Sequence, residues 1–468
     1  MDTTNILNSI KNISEVINIK ENKDEVIKHS RDWRGRINNN ALCVVFPKSN
    51  NDVSKLLKFA NSNNLKVIPQ GGNTSLVAGS SPTENEKEIL INLKKMDKII
   101  EIDNFNKCAV VEAGVIVDNL SDELNKIGKH FPVEMASTGS SQVGGIISTN
   151  AGGINVLRYG SVRQNILGLE VVTANGEILN LGSKVVKDNT GYNLKDLFCG
   201  SEGTLGIITK AILKIYPKPK DHIHFIMSFN SITNVLKTFE KINNDYSGYI
   251  EGFEFIPHLS FELCIKHKLL DRNFFNKNYP YYALVKIAVN EGKYIILENF
   301  QNKMMSNDNL FEDLIIAQNI QESNNFWQFR EKLTEAQKLD GKLLGFDISI
   351  PLDHLDSFFE KSKSLINDIV PGVKFHTFGH LGDSNIHYNL IQPDNFNGNF
   401  FDCENDIKKI INPLLKKYHG SISAEHGIGI LKKDDFYDTK SKEEILIMRK
   451  IKSLFDPKNI LNNKKIFD

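Results

Sequence analysis

The sequence has no net charge, no long apolar run and little cysteine, and each absence excludes a class of protein. Its 468 residues include 57 lysines and arginines against 57 aspartates and glutamates, so the basic surface of a nucleic-acid-binding or membrane-binding protein is not expected. No stretch approaches the roughly twenty apolar residues that a membrane span requires. Residues 1–5 lack the start of a signal peptide. We therefore expect a cytoplasmic protein with no nucleic-acid partner and no membrane span.

The five cysteines are isolated from one another, without a CxxC pair: Cys43, Cys108, Cys199, Cys264 and Cys403. Scattered cysteines in odd number are typical of reduced thiols and not of a disulfide framework. The chain is also too long for a single ordinary core, so more than one domain is expected.

The pattern of apolar residues changes along the chain and predicts four segments. Residues 1–40 are polar, with short amphipathic helices. Residues 41–220 alternate strands and helices, beginning with a βαβ unit in which Asn51 is expected to cap the helix. Residues 221–370 alternate strands with long amphipathic helices, which predicts a ferredoxin-like α+β domain with an antiparallel sheet. Residues 371–468 form a last segment that ends in a helix, and the predicted fold class of the whole is α+β.

Two histidines flank a polar turn, and a Glu-His-Gly sequence follows further along the chain. On a continuous strand His380 and His387 would point to opposite faces, because they are seven positions apart. The residues Gly-Asp-Ser-Asn at 382–385 have turn chemistry, so the chain can fold back and bring both imidazoles together. Two imidazoles and the carboxylate of Glu425 are the ligand set of an open catalytic metal site. The sequence therefore predicts a metal site here.

Three glycine-rich stretches lie in the α/β part of the chain, at residues 69–79, 137–153 and 200–208. Paired glycines let backbone N–H groups approach an anion closely, and the neighbouring Asn, Thr and Ser add donors. The long irregular region 137–160 is expected to be functional, since apolar residues are interleaved in it. Together the three loops favour an extended, phosphate-containing cofactor.

These loops, with the His-x-Gly-Asp-x-Asn-x-His and Glu-His-Gly segments, resemble the FAD-linked oxidase/dehydrogenase family of vanillyl-alcohol-oxidase-type flavoproteins. The resemblance covers about residues 30–468 and is strongest to the branch that contains D-2-hydroxyglutarate dehydrogenases, D-lactate dehydrogenases and glycolate-oxidase FAD subunits. It implies a two-part FAD-binding domain at 41–220 and a substrate (cap) domain at 221–370. Residues 371–468 would then carry the metal site and cover the FAD.

The resemblance also implies site residues. The implied metal is zinc, and its ligands would be His380, His387 and Glu425. His426 would stand beside the reacting carbon, and the substrate would meet Arg330, Thr334 and Asn389. The implied cofactor-binding residues are Pro69, Gln70, Gly71, Gly72, Asn73, Thr74, Ser75, Gly79, Ser137, Thr138, Gly139, Ser140, Ser141, Gly144, Gly145, Asn150, Gly152, Gly203, Ile207 and Ile208.

The reaction that the resemblance implies is oxidation of a D-2-hydroxy acid, with D-2-hydroxyglutarate as first choice. Hydride would pass to flavin N5, the metal would polarise the hydroxyl, and His426 would accept its proton. Arg330 and Thr334, one helical turn apart, would contact the substrate from one face of a helix. The electron acceptor is not identifiable from the sequence, and a homodimer is a common assembly to expect.

Two positions depart from the family pattern. Members closest to hydroxyglutarate dehydrogenases have a lysine where this chain has Gly345, and Lys342 is three residues away from that place. This change weakens the expectation of a dicarboxylate substrate. Asn73 and Thr74 occupy the place where covalent flavoproteins carry a histidine, so FAD is expected to bind without a covalent link.

Alternatives remain open at this stage. D-lactate or glycolate dehydrogenation, as the flavin subunit of a larger complex, is the second functional choice. A metallohydrolase without flavin would account for the His/His/Glu set but not for the glycine loops. Arg330 could instead form a surface ion pair with Glu331 or Glu335, and His426 could be an ordinary loop histidine.

Overall fold

The computed structural model describes residues 3–13, 18–305 and 310–467. The chain divides into two compact units. The first unit comprises Met1–Gly153, Tyr159–Lys218 and Glu425–Asp468, and the second comprises Ile154–Arg158 and Pro219–Ala424. Of the segment 1–40 that the sequence sets apart, residues 1–2 and 14–17 lie outside the described residues, as does the last residue of segment 371–468.

The helices and strands of the described residues alternate along the chain. The helices are α1 (Thr3–Ile13), α2 (Lys23–Ser30), α3 (Asn50–Ser62), α4 (Val117–Asn125), α5 (Val143–Ser148), α6 (Val156–Tyr159), α7 (Lys195–Phe198), α8 (Ile232–Asp245), α9 (Leu259–Lys266), α10 (Lys293–Met305), α11 (Ile320–Asp340), α12 (Leu355–Ile369), α13 (Glu404–Lys417), α14 (Lys433–Thr439) and α15 (Lys442–Phe455). The strands are β1 (Asn18–Lys20), β2 (Cys43–Phe46), β3 (Lys66–Gln70), β4 (Glu88–Asn92), β5 (Ile99–Asp103), β6 (Cys108–Glu112), β7 (Lys129–His130), β8 (Ile166–Val172), β9 (Ile178–Gly182), β10 (Ile207–Lys214), β11 (Tyr216–Pro217), β12 (Asp221–Phe229), β13 (Ile250–Pro257), β14 (Tyr281–Val289), β15 (Asp313–Ile316), β16 (Leu343–Ser349), β17 (Lys374–His380) and β18 (Asn385–Ile391).

Two main sheets form the first unit. One has the order β1-β2-β4-β3, and parallel pairing of β2 and β3 with β4 creates the expected βαβ arrangement. The other has the order β5-β6-β10-β8-β9 and is antiparallel. All residues of β2, β4 and β8 are buried, which is why these strands appear in the sequence as short apolar runs. The apolar face of α3 joins the same core.

The second unit is built on one antiparallel sheet with the order β15-β12-β14-β13-β17-β18-β16. Helices pack on both of its faces, since α8 and α12 contribute to one apolar cluster and α9 and α11 to another. Phe253 and Phe255 of β13 belong to the first cluster. Alternation along the strand therefore directs Glu254 toward the opposite face.

The α+β fold class agrees with the predicted one, but two local predictions are wrong. Helix α3 is capped by Ser49, whose hydroxyl accepts a 3.2 Å hydrogen bond from the Asp52 amide, and not by Asn51, which lies inside the helix. The region 137–160 is not irregular throughout, because it contains α5 and α6. Glycine disfavours an isolated helix, yet a Cβ at Gly144 would lie 2.8 Å from the Ala113 Cβ, so close packing requires glycine there.

Among the helices of the described residues, none is both long enough and apolar enough to cross a bilayer.

A buried carboxylate with three basic neighbours stabilises the second unit. Glu251 is 2 % exposed, and its oxygens lie 2.8 Å from Arg158 Nη1, 2.9 Å from His222 Nε2 and 3.2 Å from Lys286 Nζ. Burial alone would raise the pKa of Glu251, but the His222 hydrogen bond and the charge of Lys286 outweigh it and lower that pKa below its ordinary 4.5. A lowered pKa stabilises the fold above pH 4.5, and this contribution is lost as the pH falls.

We expect Glu251→Gln to lower the free energy of unfolding at pH 7 by about 3 kcal/mol, because it leaves partly buried basic side chains without their carboxylate. The difference from the unmodified protein should shrink as the pH is lowered below 4.5. Urea unfolding at several pH values measures both effects. Glu291→Gln, at a side chain 84 % exposed, is the matched control. An equal loss in the control would show that the cluster has no special role.

Candidate functional site

The first glycine loop, residues 71–79, leaves the end of β3 and is held by Gln70. The Gln70 side-chain amide donates to the carbonyl oxygens of His29 and Ser80, at 2.8 and 3.1 Å. Its oxygen accepts from Asn92 at 2.9 Å. The buried Gln70 side chain therefore shapes the loop, and its own contact with a cofactor stays a prediction.

The first loop lies directly against the second. A Cβ at Gly72 would be 1.9 Å from the carbonyl oxygen of Ser140, so only glycine allows this approach. A row of hydroxyls joins the two loops, with 3.1 Å between Thr74 Oγ1 and Ser141 Oγ and 2.8 Å between Ser141 Oγ and Ser137 Oγ. The fold thus brings predicted residues from two distant stretches into one polar surface.

The third loop meets the end of the first. Ser75 Oγ accepts the backbone N–H of Gly79 at 3.1 Å, and a Cβ at Gly79 would lie 3.4 Å from a Glu202 carboxylate oxygen. Gly203 has φ +71° and packs on Pro69, where a Cβ would approach the ring to 2.5 Å. All three glycine loops are therefore neighbours within the first unit.

The chemistry of these loops fits a dinucleotide cofactor. Gln142 Oε1 is buried without a hydrogen-bond partner among the described residues, and it lies 3.4 Å from the position of a Cβ at Gly71. Glycine backbones, hydroxyls and an unpaired amide oxygen can together bind a diphosphate and the polar edges of a ring system. The residues present fit FAD.

Several predicted cofactor residues lie in regular structure. Gly144 and Gly145 are part of α5, and Ile207 and Ile208 are buried core residues of β10. Asn150, with φ +49°, accepts two hydrogen bonds from the turn that begins at residue 161. Their contacts with a cofactor stay predictions. The remaining members lie on the loops themselves: Asn73, Thr138, Gly139 and Gly152.

The predicted histidine hairpin is present in the second unit. Strand β17 ends at His380, a short 3-10 turn follows, Ser384 has φ +67°, and β18 returns antiparallel. The imidazole rings of His380 and His387 have centroids 5.4 Å apart. The turn therefore places two predicted metal ligands side by side.

A buried carboxylate links one of these histidines to the predicted substrate arginine. Glu254 is fully buried, and its oxygens lie 2.6 Å from His380 Nδ1 and 2.6 Å from Arg330 Nε. Burial alone would raise the pKa of Glu254, but the His380 and Arg330 charges lower it to about 2. A carboxylate on one ring nitrogen fixes the orientation of the His380 imidazole, which is a usual arrangement around metal-ligating histidines.

The second histidine also has an acidic neighbour. Asp347 of β16 is opposite His387 in the strand register, and its carboxylate lies 3.9 Å from His387 Nδ1. Asp347 is 2 % exposed. Each imidazole therefore has a buried carboxylate beside it, as is usual around metal-ligating histidines.

Arg330 and Thr334 lie on α11, one turn apart, as the sequence predicts. Arg330 is buried, and its guanidinium stands over the Phe378 ring at 4.7 Å. The surface ion pair with Glu331 or Glu335 is therefore wrong, because Arg330 pairs with Glu254 inside the unit. Thr334 is exposed, and its contact with substrate stays a prediction.

A row of polar side chains continues from Asn389 under α11. The Asn389 amide donates to Gln337 Oε1 at 3.0 Å, the same oxygen lies 3.0 Å from His376 Nδ1, and His376 Nε2 lies 2.9 Å from Ser260 Oγ. Burial lowers the pKa of His376 to about 3, so this imidazole is neutral. Gly345 faces Asn389 across the strand pair.

Glu425 and His426 begin the last segment of the first unit. Their side chains are about one-fifth exposed, with 3.8 Å between His426 Nε2 and Glu425 Oε1. The next residue, Gly427, has φ +80° and turns the chain sharply. Neither side chain lies in the apolar core of the first unit.

Sequence reasoning missed Glu254, Asp347 and Gln337. A signal for Glu254 exists, since an acidic residue between Phe253 and Phe255 on a buried strand requires a basic partner. Asp347 carries the same signal within the apolar β16. No sequence signal identifies Gln337, because a polar residue on a long helix is ordinarily at the surface.

The sequence of this chain is similar to those of known proteins. Residues 41–182 match the FAD binding domain, and residues 218–466 match the C-terminal domain of FAD linked oxidases. The D-2-hydroxyglutarate dehydrogenase, mitochondrial, of Arabidopsis thaliana is 34 % identical, covering 96 % of this chain and 79 % of the relative. The D-2-hydroxyglutarate–pyruvate transhydrogenase of Saccharomyces cerevisiae is 34 % identical, covering 98 % and 92 %.

Solved structures show the same fold at low sequence identity. p-Cresol methylhydroxylase superimposes with a TM-score of 0.75 at 15 % identity, covering 99 % of this chain and 97 % of the other. Alkyldihydroxyacetonephosphate synthase gives a TM-score of 0.75 at 18 % identity, covering 99 % and 85 %. The two domain matches and the relatives above 30 % identity agree with the three neighbouring glycine loops, whose chemistry fits FAD. The chain therefore belongs to the family of FAD-linked oxidases and is an FAD-dependent oxidoreductase.

Proposed function

We propose that the protein oxidises a D-2-hydroxy acid to the 2-oxo acid and that D-2-hydroxyglutarate is its preferred substrate. Relatives of that name support the reaction. The main observation in support of the proposal is the hydrogen bonding of the Arg330 guanidinium. Its Nε is occupied by Glu254, while its terminal amino groups make no hydrogen bond among the described residues. A planar guanidinium held in place by one carboxylate can bind a second carboxylate, that of the substrate, through its free edge.

The second part of the proposal is a divalent metal, zinc, held by His380, His387 and Glu425. The adjacent imidazoles and their carboxylate neighbours support it. Glu425 supplies the third ligand by its chemistry, because two histidines and one carboxylate form an open zinc site. A bound metal ion would polarise the substrate hydroxyl and lower its pKa.

The protein's own side chains bind the substrate and move its proton. When bound, FAD supplies the acceptor for the hydride that leaves C2. Arg330 and Thr334 hold a substrate carboxylate, and Asn389, fixed by Gln337, orients the oxygen beside it. His426 takes the hydroxyl proton on an imidazole nitrogen, because imidazole is a common general base.

One observation favours a second candidate, D-lactate or a similar monocarboxylate. A Cβ at Gly345 would lie 2.9 Å from Asn389 Oδ1, so a longer side chain there requires Asn389 to move. Lys342 does not replace the missing lysine, because its amine bonds Asn399 Oδ1 at 3.0 Å. A distal carboxylate of the substrate therefore has less electrostatic support than a proximal one.

A panel of substrates tests the proposal. We expect oxidation of D-2-hydroxyglutarate with a higher kcat/KM than of D-lactate, D-malate or glycolate, measured with an artificial electron acceptor. The L-enantiomers should be at least about a hundredfold slower, because residues that hold both the hydroxyl and the carboxylate would direct the C2 hydrogen of only one enantiomer toward the hydride acceptor. A preference for D-lactate would select the second candidate, and a preference for an L-acid would contradict the arrangement.

Acid or heat should release FAD from the purified protein, because Asn73 and Thr74 stand where a covalent link needs a histidine. Asn73 is also already occupied, since its amide donates to Arg31 O at 2.7 Å and its oxygen accepts from Ser80 Oγ at 2.9 Å. The measurement is the visible absorbance of the supernatant after precipitation. Flavin that stays with the pellet would contradict this prediction.

A homodimeric assembly and a cytoplasmic location stay predictions. The substrate panel, run with natural and artificial acceptors in parallel, identifies the class of the acceptor.

A further inference from the structure

Glu202, which sequence reasoning did not select, holds the turn that follows His426. Its two carboxylate oxygens accept consecutive backbone N–H groups, Ile428 N to Oε1 and Gly429 N to Oε2, each at 2.7 Å. Glu202 is 7 % exposed and itself has φ +51°. Two charge-assisted hydrogen bonds to one carboxylate restrict both the position and the orientation of the turn.

The turn is shaped to fit this carboxylate. Gly427 has φ +80°, and a Cβ there would lie 2.8 Å from Glu202 Oε1. Gly429 has φ +52°, and a Cβ there would lie 2.1 Å from the Val77 carbonyl oxygen, which also accepts the Ile430 N–H at 3.0 Å. The residue after His426 therefore has little freedom, so the backbone at His426 is fixed from its carboxyl side.

The carboxy-terminal segment 462–466 encloses Glu202. The Asn462 amide donates to the carbonyl oxygens of Glu202 and Gly79, at 2.6 and 2.9 Å. The Ile466 N–H donates to Gly429 O at 3.1 Å. This segment connects the Glu202 loop, the first glycine loop and the His426 turn within the first unit.

A buried lysine in the same segment compensates the negative charge of Glu202. Lys465 is 1 % exposed, and its amine has no hydrogen-bond partner among the described residues. Burial lowers the pKa of Lys465 to about 8, while the charges of Glu88 and Glu202 act to raise it. Burial raises the pKa of Glu202, and the two turn amides and Lys465 oppose that shift. The lysine thus favours the ionised carboxylate that accepts both amides.

We propose that Glu202, enclosed by segment 462–466, is a positioning residue that sets the orientation of His426 for proton transfer. The inference rests on the proposed role of His426. Glu202 acts through the backbone of the turn and not on the substrate, so its loss should slow the reaction step more than it weakens substrate binding.

The test compares Glu202→Gln with Glu88→Gln, the matched control. The glutamine amide presents an N–H group to one turn amide, so one of the two bonds is lost at nearly constant shape. Glu88 is also buried, at 2 % exposure, and its charge also acts on Lys465, but its carboxylate accepts the backbone N–H groups of Thr83 and Glu84. Hydrogen exchange of peptide 425–431, bound FAD, kcat and KM are measured for both variants.

We expect Glu202→Gln to keep its FAD, to exchange peptide 425–431 at least about tenfold faster, and to lower kcat by about tenfold to a hundredfold. KM should change by less than about threefold. In Glu88→Gln, the exchange rate of peptide 425–431 and kcat should stay within about twofold of the values for the unmodified protein. Glu202→Asp, which keeps the charge, should give intermediate values and serves if Glu202→Gln does not fold.

Unchanged exchange of peptide 425–431 in the Glu202 variants would overturn the proposal. So would a loss of FAD in proportion to activity, or an equal loss of kcat in Glu88→Gln. If the unmodified protein oxidises no 2-hydroxy acid, the proposed function fails. The exchange measurement, which needs no substrate, still decides whether Glu202 holds the turn.

Discussion

Turnover should fall more than about a hundredfold in His387→Ala, because one of three proposed metal ligands is lost. FAD should stay bound, since none of the three glycine loops includes this residue. His387 lies beside His380 and opposite Asp347, so its removal leaves a carboxylate without its basic neighbour and a two-ligand site. Metal content by elemental analysis, FAD by absorbance and kcat measure the effect.

His354→Ala is the control for the metal experiment, because that side chain is 41 % exposed in the same unit and contacts Tyr418. It should keep both metal and turnover. Adding zinc to chelator-treated unmodified protein should restore activity, whereas His387→Ala should not respond. Full turnover by His387→Ala in metal-free buffer would exclude the proposed metal.

The second large effect is expected at Arg330. Arg330→Ala removes the charge-assisted bond to the substrate carboxylate, worth about 1.5–3 kcal/mol, so kcat/KM should fall by about tenfold to a hundredfold or more. The variant also removes the ion pair between Arg330 and Glu254, while the contact of Glu254 with His380 stays. Part of the loss should therefore appear as weaker metal binding.

Arg330→Lys separates these two contributions. A lysine keeps a positive charge near Glu254 but lacks the planar pair of donors that fits a carboxylate. If Arg330 binds substrate, Arg330→Lys should retain metal and folding stability while kcat/KM stays at least about tenfold low. Recovery of full activity in the lysine variant would reduce Arg330 to a structural partner of Glu254. Glu331→Gln, on the same helix, should leave kcat/KM unchanged.

Glu254 connects the proposed metal site with the proposed substrate-binding arginine. One fully buried carboxylate contacts both a proposed metal ligand and the proposed substrate arginine. Residues that share a hydrogen-bond network do not contribute additively. The losses in His380 and Arg330 variants should therefore not sum when the two are combined.

The sequence by itself determined the α+β class, the βαβ start, the histidine hairpin and the three glycine-rich loops. Each of these depends on local chemistry. The apolar runs of β2 and β8 specify buried strands, the Gly-Asp-Ser-Asn turn reverses the chain, and glycine pairs permit positive φ or close approach. The resemblance carried by these motifs led to the FAD-linked oxidase family, which the domain matches confirm.

Only the tertiary structure decided which side chains meet. Glu254 lies 126 positions from His380 and 76 from Arg330, and Glu202 lies 226 from Ile428. Local pattern cannot predict such pairs, because their partners are set by strand order and helix packing. Packing also placed Gly144 in a helix and Arg330 in the interior, against their local preferences. Burial makes these contacts strong, since a charge removed from water requires a partner of opposite charge or a hydrogen-bond donor.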